Sequence, residues 1–215
     1  MTNEVRIQAG RAVLSGNLHI PEGAGALVLF AHGSGSSRQS PRNQFVARTL
    51  NEAGLATLLF DLLTQEEEAL DIRTREHRFN IRLLAERLVD ATKWAKQQGE
   101  TRNLQIGYFG SSTGGAAALV AAIDVPQDVG AVVSRGGRPD LAGEALSKVQ
   151  APTLLIVGSN DDIVIELNEQ ARDKMCCEVK LEIIPGATHL FEEPGALEKV
   201  AKLASDWFIA HLAVK

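Results

Sequence analysis

Residues 110–115, Gly-Ser-Ser-Thr-Gly-Gly, decide the fold because of what lies on either side of them. The apolar run at 104–109 predicts a short buried strand, and the alanine-rich run at 116–123 predicts a helix. A serine between glycines at a sharp turn from strand to helix is typical of a nucleophile elbow, G-x-S-x-G. That turn holds its central residue in a strained conformation with the side chain projecting outward. Ser112 is therefore the predicted nucleophile, and Ser111 is expected to point away.

A glycine-rich phosphate-binding loop is the main alternative for this turn. Such loops follow the pattern G-x-x-x-x-G-K-[ST], and no lysine follows the glycines here. The residues therefore favour the elbow over a phosphate loop.

Length and charge limit the classes of protein to which the chain can belong. Its 215 residues suit a single α/β domain over residues 1–215. With 22 basic and 27 acidic residues the net charge is −5, and no basic cluster stands out. This balance argues against nucleic acid or an anionic membrane as a partner and favours a small-molecule substrate.

The two cysteines and the chain's beginning bear on its compartment. Cys176 and Cys177 are adjacent, so they form no disulfide framework and lack metal-ligand spacing. No metal or cofactor is predicted. The first residues lack the basic and apolar segments of a signal peptide, and no apolar run is long enough to span a membrane. We therefore expect a cytoplasmic protein, and the sequence leaves its oligomeric state open.

Strand and helix patterns alternate along most of the chain. Two strands that form an antiparallel hairpin come first, and an acidic loop is expected at 64–68. The predicted strands are 4–9, 12–20, 26–31, 55–61, 104–109, 129–134, 152–158 and 179–184. The predicted helices are 41–53, 74–98, 116–123, 164–174 and 196–212. This order predicts an α/β fold, a mostly parallel sheet of about eight strands with helices on both faces and little or no cap domain.

Five polar residues fall just after predicted strands, where ligands bind in such sheets. These residues are His32, Ser112, Arg135, Asp161 and His189. A serine hydroxyl needs a base that titrates near neutral pH, and a carboxylate must orient that base. The order Ser112, Asp161, His189 is the order of nucleophile, acid and base that this kind of fold uses.

Alternatives exist for the base and the acid. His19, His77 and His211 are expected on the surface, which leaves His189 as the base. Asp161 is preferred as the acid because Asp162 stands closer to the following helix and is better placed to cap it.

Four arginines lie near the predicted site, and their role stays open. Arg38, Arg135 and Arg138, with Arg42, could bind a carboxylate or phosphate on the substrate. The alternative is that they anchor loops, for example through a pair between Asp61 and Arg38 or Arg42.

Four segments together resemble one family over almost the whole chain. They are 30–35, 110–115, 158–161 and 186–191, and they are similar to motifs of the α/β-hydrolase superfamily, within it the dienelactone-hydrolase-like group. The resemblance implies that Asp161 is the acid and that the N–H groups of Ser34 and Thr113 form an oxyanion hole. Authentic dienelactone hydrolases use a cysteine nucleophile, whereas Ser112 stands here.

We therefore expect a serine hydrolase that cleaves an ester, lactone or thioester of a small substrate through an acyl-enzyme. An acyltransferase or a peptidase would use the same triad. A hydrolase-fold binding protein without turnover is the alternative outside catalysis. Domains of this group also occur fused to phosphoribosyltransferase domains, and no part of this chain resembles that second domain.

Overall fold

The structure, a computed structural model, describes residues 2–212. Within them the strands are β1 (Thr2–Ala9), β2 (Ala12–His19), β3 (Ala26–Ala31), β4 (Ala56–Phe60), β5 (Gln105–Ser111), β6 (Val129–Arg135), β7 (Thr153–Gly158) and β8 (Val179–Ile184). The helices are α1 (Pro41–Glu52), α2 (Gln65–Thr74), α3 (Ile81–Gln97), α4 (Thr113–Asp124), α5 (Asp162–Arg172) and α6 (Ala196–His211).

The eight strands of residues 2–212 form one sheet, which confirms the predicted fold class. Its order is β1-β2-β4-β3-β5-β6-β7-β8. The strands β1, β2 and β4 pair antiparallel, and every pair from β4 to β8 is parallel. The carboxyl ends of β3, β5, β6 and β7 therefore meet at one edge.

Helices cover both faces of this sheet. Every residue of β3 and β7 is buried, as expected for strands covered on both sides. One apolar cluster packs α3 and α4 against the sheet, through residues such as Leu88 and Ala117. A second cluster packs α1 and α6 on the other face, through residues such as Val46 and Phe208.

The expected acidic loop at 64–68 and long helix at 74–98 are wrong. The segment forms two helices, because Thr64 and Glu67 make a capping box that starts α2. The Glu67 carboxylate accepts from Thr64 N–H at 2.8 Å, and the Thr64 hydroxyl accepts from Glu67 N–H at 3.2 Å. The buried Asp71 carboxylate then accepts the His77 and Arg78 N–H groups at 2.7 and 3.0 Å, which holds a turn between the helices.

Between β6 and β7 the chain forms two short 3-10 segments within Pro139–Lys148, separated by a kink at Gly143, and the sequence did not predict them. None of the helices within residues 2–212 has both the length and the apolar composition that crossing a bilayer requires.

Candidate active site

The turn between β5 and α4 has the geometry of a nucleophile elbow. Ser112 adopts φ 51° and ψ −120°, a left-handed conformation that a non-glycine residue holds only under strain. A Cβ on Gly110 would lie 2.4 Å from the Gly114 carbonyl oxygen. A Cβ on Gly114 would lie 2.1 Å from the carbonyl oxygen of Ala31, the last residue of β3. Both positions therefore require glycine.

We expect Gly114→Ala to lower the free energy of unfolding by about 1–3 kcal/mol, since the new methyl group forces backbone atoms apart. Gly99→Ala is the matched control, because a Cβ there has no atom within 4 Å. It should change the free energy of unfolding by no more than about 0.5 kcal/mol. Urea unfolding of both variants measures the difference, and equal stabilities would contradict the crowding argument.

Ser111 is turned into the protein. Its hydroxyl is buried and donates to the Asn43 side-chain oxygen at 3.1 Å. Asn43 lies on α1, and nothing in the sequence marked it as a partner of the elbow. The hydroxyl proton of Ser111 is thus already engaged, whereas the Ser112 hydroxyl forms no hydrogen bond within residues 2–212.

The acid and the base are joined directly. The Asp161 carboxylate lies 2.6 Å from His189 Nδ1, with the Asp161 side chain 17% exposed and that of His189 39% exposed. This contact places the proton of the neutral imidazole on Nδ1 and leaves Nε2 free to accept one. Ser112 and His189 line the same cavity, of about 240 Å³.

Hydrogen bonds join the two loops that carry Asp161 and His189. Gly186 N–H donates to the Ser159 hydroxyl at 2.7 Å, and the Asn160 side chain donates to the Gly186 carbonyl at 3.0 Å. Asn160 N–H also donates to the Ala187 carbonyl at 2.9 Å. The loop after β7 is thereby fixed against the loop after β8, which carries His189.

The expected capping role of Asp162 is wrong. Asp161 occupies the position before the first residue of α5, and its side chain turns to His189 rather than capping the helix. Asp162 is the first residue of α5, is exposed, and forms no side-chain hydrogen bond within residues 2–212. Asp162 still places a negative charge at the helix N-terminus, a weakly favourable position.

His32 is a structural residue at the end of β3. Its Nε2 accepts from Leu62 N–H at 3.0 Å, and its Nδ1 donates to the Gly33 carbonyl at 2.9 Å. The ring is therefore neutral, with both nitrogens engaged. Burial lowers the pKa of His32, against smaller opposing effects of the Gly33 carbonyl and the Asp61 and Glu68 carboxylates.

We expect this histidine to make the fold sensitive to acid. The unfolded chain takes up the proton near pH ~6.5, whereas folded His32 resists it, so stability falls as the pH drops below that value. The free energy of urea unfolding should decrease more between pH 7 and pH 5 in the wild type than in His32→Gln. Equal decreases in the two proteins would contradict the prediction.

The loop after β3 packs directly on the elbow. A Cβ on Gly33 would lie 3.1 Å from Ser112 Cβ, and the Ser34 and Thr113 hydroxyls are 3.1 Å apart. The backbone N–H groups of Ser34 and Thr113 both have no hydrogen-bond partner within the described chain.

Two of the candidate substrate-binding arginines are engaged in ion pairs. Arg38 pairs with Asp61, whose carboxylate also accepts the Arg38 backbone N–H at 2.8 Å, and it approaches Glu4 at 3.4 Å. Arg138 pairs with Asp140 through two hydrogen bonds of 2.8 and 2.7 Å. These contacts match the loop-anchoring alternative.

Arg42 and Arg135 instead line the cavity with Ser112 and His189. Arg42 is paired with Glu192 at 3.2 Å. Arg135 is buried and has no carboxylate within ion-pair distance among the residues that the structure describes. Within the same residues, no three His, Cys, Asp or Glu side chains are grouped as a metal site would require.

The remaining histidines lie away from this cavity. His19 is 3.2 Å from the Thr2 hydroxyl, and His77 follows α2. His211 was expected to be exposed, but its side chain is only 18% exposed because its ring packs 4.2 Å from that of Trp207.

A family model described as an alpha/beta hydrolase domain matches residues 24–206. The chain belongs to the α/β-hydrolase family. The matched residues include the elbow, Asp161 and His189, so the family assignment covers every element of the site described above.

A solved structure of a dienelactone hydrolase from Anabaena variabilis is similar to this hydrolase over nearly its whole length. The two chains are 60% identical with a TM-score of 0.97, covering 99% of this chain and 98% of the other. This places the chain in the dienelactone-hydrolase-like group. An esterase from Pyrococcus furiosus, 17% identical with a TM-score of 0.75 over 99% of this chain and 92% of its own, shares the fold.

A curated relative from Mycobacterium tuberculosis carries the name "Putative phosphoribosyl transferase". It is 58% identical over 209 residues, which are 97% of this chain but 46% of the relative. The chain thus spans about half the length of this curated relative, and that name describes the longer protein.

Proposed function

We propose that this α/β hydrolase is a serine hydrolase that cleaves ester, lactone or thioester bonds of small substrates through an acyl-enzyme. The observation that carries the proposal is the 2.6 Å contact between Asp161 and His189, in a cavity shared with the strained Ser112. Such an orienting carboxylate fixes the tautomer that a general base needs.

In the first half of the reaction, His189 Nε2 takes the Ser112 hydroxyl proton as Oγ bonds to the substrate carbonyl carbon. The carbonyl oxygen becomes an oxyanion and accepts hydrogen bonds from the N–H groups of Ser34 and Thr113. The bond from carbon to the leaving oxygen or sulfur then breaks, and His189 gives its proton to the leaving group. The acyl group remains on Ser112.

In the second half, His189 takes a proton from water as the water oxygen bonds to the acyl carbon. The bond to Ser112 Oγ then breaks, and the proton returns to that oxygen. The product is a carboxylic acid, and the enzyme is regenerated.

Two adjoining cavities near Ser112 offer room for a small substrate. The cavity at Ser112 has about 240 Å³, and a second cavity of about 610 Å³ shares Ser36 and Ser40 with it. Leu63 and Ile72 contribute apolar surface to the second cavity. The dienelactone hydrolase named for the 60% identical structure supports hydrolysis of ester-type bonds as the reaction class.

The test is whether different esters pass through one common acyl-enzyme. Phenyl acetate and 4-nitrophenyl acetate are hydrolysed in the presence of methanol, and acetate and methyl acetate are quantified. A shared acyl-enzyme predicts the same product ratio for both esters, since the leaving group has departed before the acceptor enters. A ratio that changes with the leaving group, or no hydrolysis of any ester, lactone or thioester, would contradict the proposal.

A further inference from the structure

Arg135, the last residue of β6, is a buried cation without a counter-ion among residues 2–212. Its side chain lines the cavity at Ser112, yet the residue is only 7% exposed. Its Nε and Nη1 atoms are buried and make no hydrogen bond to any residue that the structure describes. Its own carbonyl accepts Ser112 N–H at 3.2 Å, which fixes Arg135 beside the nucleophile.

This condition sets Arg135 apart from other arginines of the chain. Arg78 donates from Nε to the buried Asp71 carboxylate at 2.7 Å, and Arg138 binds Asp140 through two hydrogen bonds. Leaving a guanidinium buried and unpaired is unfavourable for folding. A stabilising role within the fold therefore does not explain Arg135, whereas a bound anion would supply the missing partner.

The charge around the cavity is positive. Among the described residues that line it, the titratable side chains are Arg42, Arg135 and His189, and none is acidic. The carboxylates behind them, Glu192 and Asp161, are engaged with Arg42 and His189. Burial, with a smaller effect of Arg42, lowers the pKa of Arg135 to about 10, so the guanidinium remains charged at neutral pH.

A strained aromatic residue supports the guanidinium from one side. Phe191 adopts φ 56°, is almost completely buried, and places its ring centroid 5.8 Å from Arg135 Cζ. This cation–π contact orients the planar group but leaves its N–H donors free. Within residues 2–212, three non-glycine residues have a left-handed backbone. Two of them belong to this site, since Ser112 lines the cavity and Phe191 contacts Arg135.

We infer that Arg135 is a substrate-binding residue that selects esters carrying an oxyanion group, a carboxylate or a phosphate, near the scissile bond. This inference rests on the proposed serine hydrolase for its kinetic consequence. The planar fork of a guanidinium matches both groups through two parallel hydrogen bonds.

The kinetic test compares 4-nitrophenyl hydrogen succinate with its methyl ester, in which the charge is masked. Release of 4-nitrophenol is measured, and the spontaneous rate of each ester is subtracted. We expect kcat/KM for the charged substrate to exceed that for the masked one by about 10- to 100-fold, the range of charge-assisted hydrogen bonds. In Arg135→Met this ratio should collapse to about one or below, and Arg135→Lys should restore part of it. The control is Arg138→Met, which should keep the wild-type ratio.

A binding test separates this inference from the proposed reaction. The melting temperature of Ser112→Ala, which has no nucleophile, is measured with succinate, with inorganic phosphate and with chloride at equal ionic strength. Succinate or phosphate should raise it by about 2 °C or more relative to chloride. The rise should be smaller by about 2 °C in the double variant Ser112→Ala/Arg135→Met, which keeps only the non-specific stabilisation that such anions give any folded protein. The anion with the larger effect identifies the group that the site prefers.

Each of the two tests can overturn the assignment of Arg135. In the kinetic test, the contradicting results are a wild-type ratio near one and a ratio that Arg135→Met leaves unchanged. In the binding test, they are a melting temperature of Ser112→Ala that neither anion raises and a rise that is as large in the double variant as in Ser112→Ala. If the wild type cleaves neither ester, the proposed reaction fails, and the melting temperatures alone decide whether Arg135 binds an anion.

Discussion

Ser112→Ala is expected to lower kcat for ester hydrolysis by about 10⁴-fold or more while leaving the fold intact. Alanine removes the Ser112 hydroxyl, which lines the cavity with His189, whereas the Ser111 hydroxyl is turned to Asn43. It also keeps the backbone in place, because the strained conformation is imposed by the surrounding glycines and strands. The measurements are kcat for 4-nitrophenyl acetate and the melting temperature.

Ser111→Ala is the matched control for this variant. Its hydroxyl is buried against Asn43, so its removal should affect stability more than turnover. A Ser112→Ala protein with near wild-type kcat would contradict the assignment, as would a loss of turnover confined to Ser111→Ala.

Asp161→Asn is expected to lower kcat by about 10⁴-fold, the loss typical of a triad aspartate replaced by its amide. The 2.6 Å contact explains why. An amide nitrogen at that position would donate to His189 Nδ1, which moves the imidazole proton to Nε2. The histidine could then no longer accept the proton of Ser112.

Asp162→Asn makes the same chemical change one residue later. Asp162 is exposed and forms no side-chain hydrogen bond within the described residues, so kcat should stay near the wild-type value. Loss of a charge at the helix N-terminus should cost less than about 1 kcal/mol of unfolding free energy. If the two kcat losses occurred in the opposite order, Asp162 would be the acid.

Much of the fold could be predicted because the central strands β3, β4 and β7 are nearly continuous apolar runs. The strands β3 and β7 are buried on both faces, and such apolar runs can be recognised as strands without knowing which elements pack against them. The break between α2 and α3 was not predicted, because a polar contact and not an apolar pattern determines it. It depends on the Asp71 carboxylate capturing the N–H groups of His77 and Arg78, and apolar spacing carries no sign of that contact.

Some parts of the site could likewise be predicted from the sequence, and others could not. The elbow and the base are local signals, a strand, a glycine-flanked serine and a histidine after the last strand. The role of each arginine depends on which loops face it, so Arg38, Arg135 and Arg138 looked alike in the sequence. Ion pairs anchor Arg38 and Arg138, and only Arg135 of these three lines the cavity with Ser112.

Phe191 could not have been singled out from the sequence. Its left-handed backbone is unusual for an aromatic residue and becomes visible only in the structure. A glycine or asparagine there would have marked the turn in advance, whereas phenylalanine reads as an ordinary core residue.

Reaction with a fluorophosphonate tests the central claim most directly, because it reports an activated serine without requiring the natural substrate. Ser112 Oγ would bond to phosphorus as fluoride leaves. We predict one adduct per chain by intact mass, mapped by peptide sequencing to Ser112, absent in Ser112→Ala and formed far more slowly in His189→Gln. An adduct on another residue, or an unlabelled protein that still hydrolyses esters, would contradict the account.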